Sequence, residues 1–412
     1  MFGEMDKATR LTRAGKLGEA TALIQRSLRN TPLGQVIPAG ESRARDSGKP
    51  LRLLIEPISD NEGQSASRPT PTKVRACRTP VHRPNVPSPL LSPDFAGFEG
   101  LPGRKSRLRR PPPADLAGPG QWISASHAGA VGSRNYKLYI PSRYADEPLP
   151  LVVMLHGCTQ DPDDFAAGTA MNTVAEAEGF LVAYPEQTAA SNPSRCWNWF
   201  QAAHQQREGG EPSIIAGIAR QIMTQYNVDP SRVYVAGLSA GGAMAAIVAA
   251  THSDLFAARG VHSGLAPGSA HDLPSALQAM RQGGSANRMR IERPVPLIIF
   301  HGDRDLTVQS RNAVQFVEQW MAAAASAPGK PLPPAAVLQG QVPSGRAFTR
   351  KSYIDWQGEP IVEWWTIHGA DHAWSGGSAD GSYTDPAGPD ASREFARFFR
   401  EHPRVNTRPS SQ

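Results

Sequence analysis

From Gln121 onward, short apolar runs alternate with longer amphipathic stretches. Leu149 to Leu155 is continuously apolar, the pattern of a strand buried on both faces. Phe180 to Tyr184, closed by Pro185, repeats it, as do Arg232 to Ala236, Ala258 to His262, Val295 to Phe300 and Ile361 to Ile367. Asn135 to Ile140 instead alternates polar and apolar residues and stops at Pro141, which predicts an antiparallel or edge strand. Helices are predicted over Asp163 to Glu178 and Pro212 to Tyr226, in the small-residue run Ala240 to Ala250, and over Asp390 to Glu401. Strands alternating with helices predict an α/β chain with a doubly wound, mainly parallel sheet and right-handed crossovers. Ligand chemistry in such sheets sits at the carboxyl ends of the strands.

Ahead of this pattern the chain reads differently. Within residues 1–30, Leu11, Ala14, Leu17, Ala20, Ile24 and Leu28 recur at helical spacing and predict an amphipathic helix. Its apolar face carries small alanines and no Trp or Phe anchor, which favours docking on the main domain or pairing with a copy of itself. Contact with a lipid, polymer or granule surface is the sharper alternative. Residues 31–120, rich in Pro, Ser, Arg and Gly, predict a disordered linker, with a basic run from Arg104 to Arg110. The catalytic domain is expected over residues 121–404, followed by a disordered tail over 405–412.

Composition narrows the class. The 412 residues are 40% hydrophobic and 19% charged, enough for a large α/β domain with an extension. The net charge of +6 comes from basic residues before Gly120; the remainder is slightly acidic, which argues against nucleic-acid binding by the main domain. No apolar run approaches the roughly 18 residues of a membrane span. Met1 to Asn30 is charged throughout and shows no signal-peptide core. Three cysteines make no disulfide framework. No His-Glu-x-x-His metal motif and no phosphate or dinucleotide loop appears, so neither a metal nor a cofactor is implied.

The stretch that carries chemistry is Val233 to Met244, where an apolar run meets Gly237-Leu238-Ser239-Ala240-Gly241 and then small residues. Strand, sharp turn and helix in that order place the central serine in strained backbone with its hydroxyl outward. The new helix points free N–H groups to the same place. Ser239 is therefore the candidate nucleophile. A serine hydroxyl needs a base, a histidine titrates near neutral pH, and a carboxylate fixes the imidazole tautomer. His301-Gly302-Asp303-Arg304-Asp305 and His368-Gly369-Ala370-Asp371-His372 follow two later strands. The order Ser239, then an aspartate, then His372 is that of α/β-hydrolases; His372 lies in a loop late in the chain, whereas His368 sits right at the strand's end. Asp305 is preferred to Asp303, which lies nearer the Gly302 turn and could cap it. Asp371 is a poor candidate, because adjacent side chains diverge. His156, His262 and His301 read equally well as scaffold. The N–H groups of Cys158, after the first buried strand, and of Ala240 are the candidate oxyanion donors. Trp197, Trp199 and Trp374 offer aromatic surface for an acyl or polymer-chain groove, with core packing an equal reading for each.

Five motifs in order resemble the poly(3-hydroxybutyrate) depolymerase family of esterases: Leu155 to Gln160, Cys196-Trp197-Asn198-Trp199-Phe200, Gly237 to Met244, His301-Gly302 through Asp305 and Val308, and His372-Ala373-Trp374-Ser375-Gly376-Gly377. The resemblance spans about Ala130 to Arg400. It implies an α/β-hydrolase fold and a serine esterase with Ser239, Asp305 and His372 as triad and Cys158 as an oxyanion donor. It also implies a Cys158–Cys196 disulfide in an oxidising compartment. The substrate it implies is a short-chain poly(3-hydroxyalkanoate) polymer or oligomer, with feruloyl or acetyl esters of plant polysaccharide as the alternative. Many relatives are secreted, which implies an extracellular protein; the missing signal peptide points to the cytoplasm instead. A non-catalytic granule-surface protein is the reading from a different class.

Overall fold

The computed structural model describes Leu116, residues 118–284, Met289, and residues 291–325, 336–354 and 360–404. The expected N-terminal helix, nearly all of the linker and the tail lie outside the described residues.

Ten strands form one sheet. In chain order they are β1 (Gln121–Gly129), β2 (Gly132–Ile140), β3 (Leu149–Leu155), β4 (Leu181–Pro185), β5 (Val228–Leu238), β6 (Ala258–His262), β7 (Leu297–Gly302), β8 (Ala336–Gln341), β9 (Ala347–Ile354) and β10 (Pro360–Ile367). Their spatial order is β1-β2-β4-β3-β5-β6-β7-β10-β9-β8. The six strands from β4 to β10 run parallel, and antiparallel strands close both edges. A two-strand pairing, β11 (Trp374–Ser375) with β12 (Thr384–Asp385), stands apart.

The helices are α1 (Pro162–Thr169), α2 (Met171–Glu178), α3 (Gly210–Gln225), α4 (Ala240–Thr251), α5 (Leu273–Gln282), α6 (Arg311–Ala325) and α7 (Ala391–Glu401). On one face of the sheet, Ile215, Ile218 and Ile222 of α3 and Met244, Ile247 and Val248 of α4 pack on Leu151, Val153 and Val235. On the other, Phe165, Met171 and Val174 pack with Phe395, Phe398 and Phe399 of α7 on Val152, Met154 and Tyr234. Alternate residues of one strand thus serve two cores, which is why these strands read as continuous apolar runs.

Four differences from the sequence reading have physical causes. The helix expected over Asp163 to Glu178 is two helices, broken at Ala170 in left-handed backbone (φ 52°). The segment around Gly381 docks there: the Gly168 carbonyl accepts Ser378 N–H, and a Cβ on Gly168 would crowd Gly381 and Thr384. β1 was not expected; it is an edge strand with no fully buried residue. The β8–β9 hairpin was not expected either, and Val337 and Leu338 lie exposed on it. Helices α5 and α6 add to the expected set. Leu273, Ala276, Leu277 and Met280 sit at i, i+3, i+4 and i+7, behind a capping box of Asp272 and Ser275, a signal the sequence did carry for α5.

Candidate active site

The Ser239 turn is forced by its neighbours. Ser239 has φ 57° and ψ −118°, a conformation that costs a non-glycine residue on the order of 1–3 kcal/mol. A Cβ on Gly241 would run into the Leu155 and His156 carbonyl oxygens, and one on Gly237 into Gly241. Only glycines let α4 start this close to β3 and β5. The Ser239 N–H donates to the His262 carbonyl at 2.9 Å, which ties the turn to the end of β6.

The loops after β7 and β10 carry two histidine–aspartate pairs. His372 Nδ1 donates to Asp305 Oδ2 at 2.7 Å; Asp305 is fully buried and His372 nearly so. Asp305 Oδ1 accepts the N–H groups of Thr307 and Val308 at 2.9 and 2.8 Å. His301 Nε2 lies 3.4 Å from Asp305 Oδ2 and donates to the Val308 carbonyl at 2.7 Å. Burial alone would lift the Asp305 carboxyl. The charge of His372 and the hydrogen bonds of His301 and His372 outweigh it and hold Asp305 well below the usual carboxylate range. Asp303 pairs instead with His368, at 2.9 Å, and also accepts Gly369 N–H. The structure therefore joins Asp305 to His372 and separates both from Asp303. It draws no hydrogen bond between Ser239 Oγ and His372, a contact that tightens in many enzymes only when substrate is bound.

The turn after β3 is equally fixed. Gln160 Oε1 accepts Gly157 N–H at 2.9 Å, Gln160 N–H donates to the Gly157 carbonyl, and Thr159 N–H donates to Ser194. These bonds use the neighbours of Cys158 and leave its own N–H out of the turn, as the elbow's bonds use Ser239 and Ala243 and leave out Ala240. A disulfide joins Cys158 to Cys196. Behind it lies a buried polar network the sequence reading did not find. Gln187 Nε2 donates to the Cys196 carbonyl and to Glu211, and Glu211 accepts the N–H and the side-chain amide of Asn198.

Three histidines are scaffold. His156 Nε2 accepts Gln187 N–H, and desolvation lowers its pKa to about 4, so the ring is neutral. His262 Nε2 accepts Ser375 N–H, and its ring stacks on Phe300 and Trp374. Desolvation first, then the nearby His301 and His372, push its pKa well down. His301 is buried against Asp305. His262 thereby ties the serine turn to the loop that follows His372.

An apolar pocket of about 20 Å³ opens at Ser239, lined by Cys158, Cys196, Trp199, Phe200, Leu277 and Val308 among others. Of the three tryptophans, Trp199 lines it. Trp197 and Trp374 are buried elsewhere: the Trp197 indole N–H donates to the His156 carbonyl, and that of Trp374 to Ser392. Those two pack the scaffold, because a fully enclosed ring has no face left for a ligand. Among the described residues no group of three or more His, Cys, Asp or Glu could hold a metal ion, and no helix is long and apolar enough to cross a membrane.

A mainly parallel sheet of this strand order, a serine on a strained strand-to-helix turn, and an acid and a histidine on later strand ends define an α/β-hydrolase fold. Residues 134–327 match the family described as Esterase PHB depolymerase. It is 32% identical over 239 residues to poly(3-hydroxyalkanoate) depolymerase C of Paucimonas lemoignei, covering 54% of each chain. It is 29% identical over 228 residues to acetylxylan esterase A of Talaromyces purpureogenus, covering 50% of this chain and 57% of that one. The chain thus spans little more than half the length of these curated relatives. Among solved structures, an acetyl xylan esterase from Aspergillus awamori aligns over 68% of this chain and 100% of its own, at 22% identity and a TM-score of 0.49.

Proposed function

We propose that the protein is a carboxylic ester hydrolase working through an acyl-enzyme on Ser239. The observation that carries this is the buried His372–Asp305 pair, whose loop reaches the Ser239 pocket through Val308. Ser239 Oγ attacks the ester carbonyl while His372 Nε2 takes its proton. Asp305, already accepting Nδ1–H, fixes that tautomer and stabilises the imidazolium. The N–H groups of Cys158 and Ala240 hold the oxyanion. The imidazolium then protonates the leaving alcohol, and water, deprotonated by the same ring, cleaves the acyl-enzyme.

Short-chain poly(3-hydroxyalkanoate) polymer or oligomer is the first substrate reading. It is supported by the likeness to the Paucimonas depolymerase and by the apolar pocket with Leu273 and Leu277 exposed on α5. An acetyl ester of a polysaccharide is the second. The small volume of the pocket supports it, since about 20 Å³ is little more than the 10–15 Å³ that admits one water. The Cys158–Cys196 disulfide supports an oxidising, extracellular compartment.

The test is hydrolysis by the purified full chain of amorphous poly(3-hydroxybutyrate) granules, acetylated xylan, methyl ferulate and p-nitrophenyl acetate, with Ser239→Ala as control. Cleavage lost in the variant is expected. Granule clearing supports the first substrate and acetate release from xylan the second. Turnover retained by the variant ends the Ser239 mechanism.

A further inference from the structure

A second cavity, of about 630 Å³, carries charged and polar side chains, where the Ser239 pocket is mainly apolar. Its strand residues are Ser124 paired with Lys137 and Ser126 paired with Asn135, two cross-strand pairs of β1 and β2. Asp161 and Asp163 at the start of α1, Glu186 after β4, and Arg195 complete the polar set. Arg195 Nη1 lies 3.3 Å from Asp161, and Lys137 Nζ lies 3.8 Å from Asp163, which also accepts the Trp122 indole N–H.

The loops that line the two cavities are continuous in the chain. Arg195 adjoins Cys196, Asp161 follows Cys158 by three residues, and Thr159 N–H to Ser194 ties those loops together. Cys158 and Cys196 line the Ser239 pocket. Strand β2 is three places from β5 in the sheet and β1 four, which puts the groove's strand wall about 14–19 Å from the nucleophile's strand.

The lining selects a ligand class. A groove of this size falls within the ~300–1,000 Å³ of small-ligand sites. It presents two cations, three carboxylates, two hydroxyls and an amide. A polyester carries only acceptor oxygens, so it could use the groove's donors but would bring none to the carboxylates beyond those they take from Arg195, Lys137, the Trp122 indole and the Asn135 amide. An anionic chain meets those carboxylates, and a cationic one meets Lys137 and Arg195. A neutral chain of hydroxyl groups donates and accepts at every unit and satisfies both kinds of lining. From this we infer that the groove is a subsite for a polyhydroxylated, saccharide-type chain, which it holds while a pendant ester reaches Ser239. The inference deepens the polysaccharide reading and rests on it for the direction of the ester.

The test has two arms. In the first, the full chain with Ser239→Ala is titrated calorimetrically with unacetylated xylohexaose and with a 3-hydroxybutyrate trimer. Xylohexaose is expected to bind, and Ser126→Trp added to Ser239→Ala, which places an indole in the groove from an exposed strand position, is expected to abolish that binding. No binding of xylohexaose, or binding that survives Ser126→Trp, overturns the inference, as does displacement of xylohexaose by the trimer. In the second, Ser126→Trp and Lys137→Met are made in the otherwise unaltered chain. The ratio of kcat/KM for an acetylated xylo-oligosaccharide to that for p-nitrophenyl acetate is expected to fall about tenfold in each. An unchanged ratio overturns the inference. A protein that binds xylohexaose yet cleaves neither ester keeps the groove and ends the esterase reading, so the two failures are distinct.

Discussion

Two histidine–aspartate pairs occupy neighbouring loops of this molecule and are built from the same parts. Asp303 with His368 and Asp305 with His372 each join Nδ1 to Oδ2, at 2.9 and 2.7 Å. Their surroundings differ. The side chains of His368 and Asp303 are 44% and 37% exposed, those of His372 and Asp305 12% and 0%. His368 Nε2 is engaged by the Thr349 hydroxyl at 2.9 Å, whereas His372 Nε2 has no hydrogen-bond partner among the described residues. An imidazole serves as a base only through a nitrogen that is not already occupied. A carboxylate stabilises the resulting charge strongly only where water does not compete. Pairing alone does not make a dyad; burial and an open far nitrogen do.

The sharpest way to break this comparison is to remove each histidine. His372→Ala should cost roughly 10⁴-fold or more in kcat on p-nitrophenyl acetate, the scale on which triad members fail. His368→Ala should stay within about threefold, with any loss appearing in the melting temperature. Equal losses would erase the distinction between the pairs.

The acids give the next effect. Asp305→Asn keeps the shape of the side chain but offers an amide where His372 needs an acceptor, and should lower kcat by about 10⁴-fold. Asp303→Asn loosens an exposed pair and should cost at most about 1 kcal/mol of stability with little change in kcat. A steady-state assay and a thermal melt on both variants check this.

Which aspartate meets which histidine was only partly legible in the chain. Asp303 and Asp305 are two residues apart and the histidines four, so several pairings fit the spacing, and local turn chemistry favoured Asp305. The interior strands were legible because both their faces are buried: Leu149–Leu155 and Ala258–His262 have the expected bounds. The outer strands β1, β8 and β9 were not, because they are short of buried side chains and read as loops. Trp197 and Trp374 were ambiguous because a tryptophan's burial depends on what the fold brings over it. Glu211 and Gln187 carried no local signal, since their partners lie on distant segments. The polar groove was equally hidden, being assembled from β1, β2 and three separate loops.

The last effect is on stability alone and concerns two enclosed rings outside both pairs. His156 and His262 are enclosed and accept backbone N–H groups through Nε2, so their folded-state pKa values lie below the ordinary value of 6.5, that of His156 at about 4. Below pH 6.5 the unfolded chain takes up protons at these rings that the folded chain refuses. Their contribution to stability is therefore complete above that pH and drains away as pH falls towards 4. For His156 alone the loss is about 2 kcal/mol by pH 5. Melting temperatures taken from pH 7 down to 4.5 should fall along this limb. The fall should persist in Asp303→Asn and His368→Gln, because it belongs to the enclosed rings and not to the exposed pair. A flat profile in the unaltered protein would end the assignment to the enclosed rings, and a limb that vanishes with His368 would move the acid sensitivity to the exposed pair.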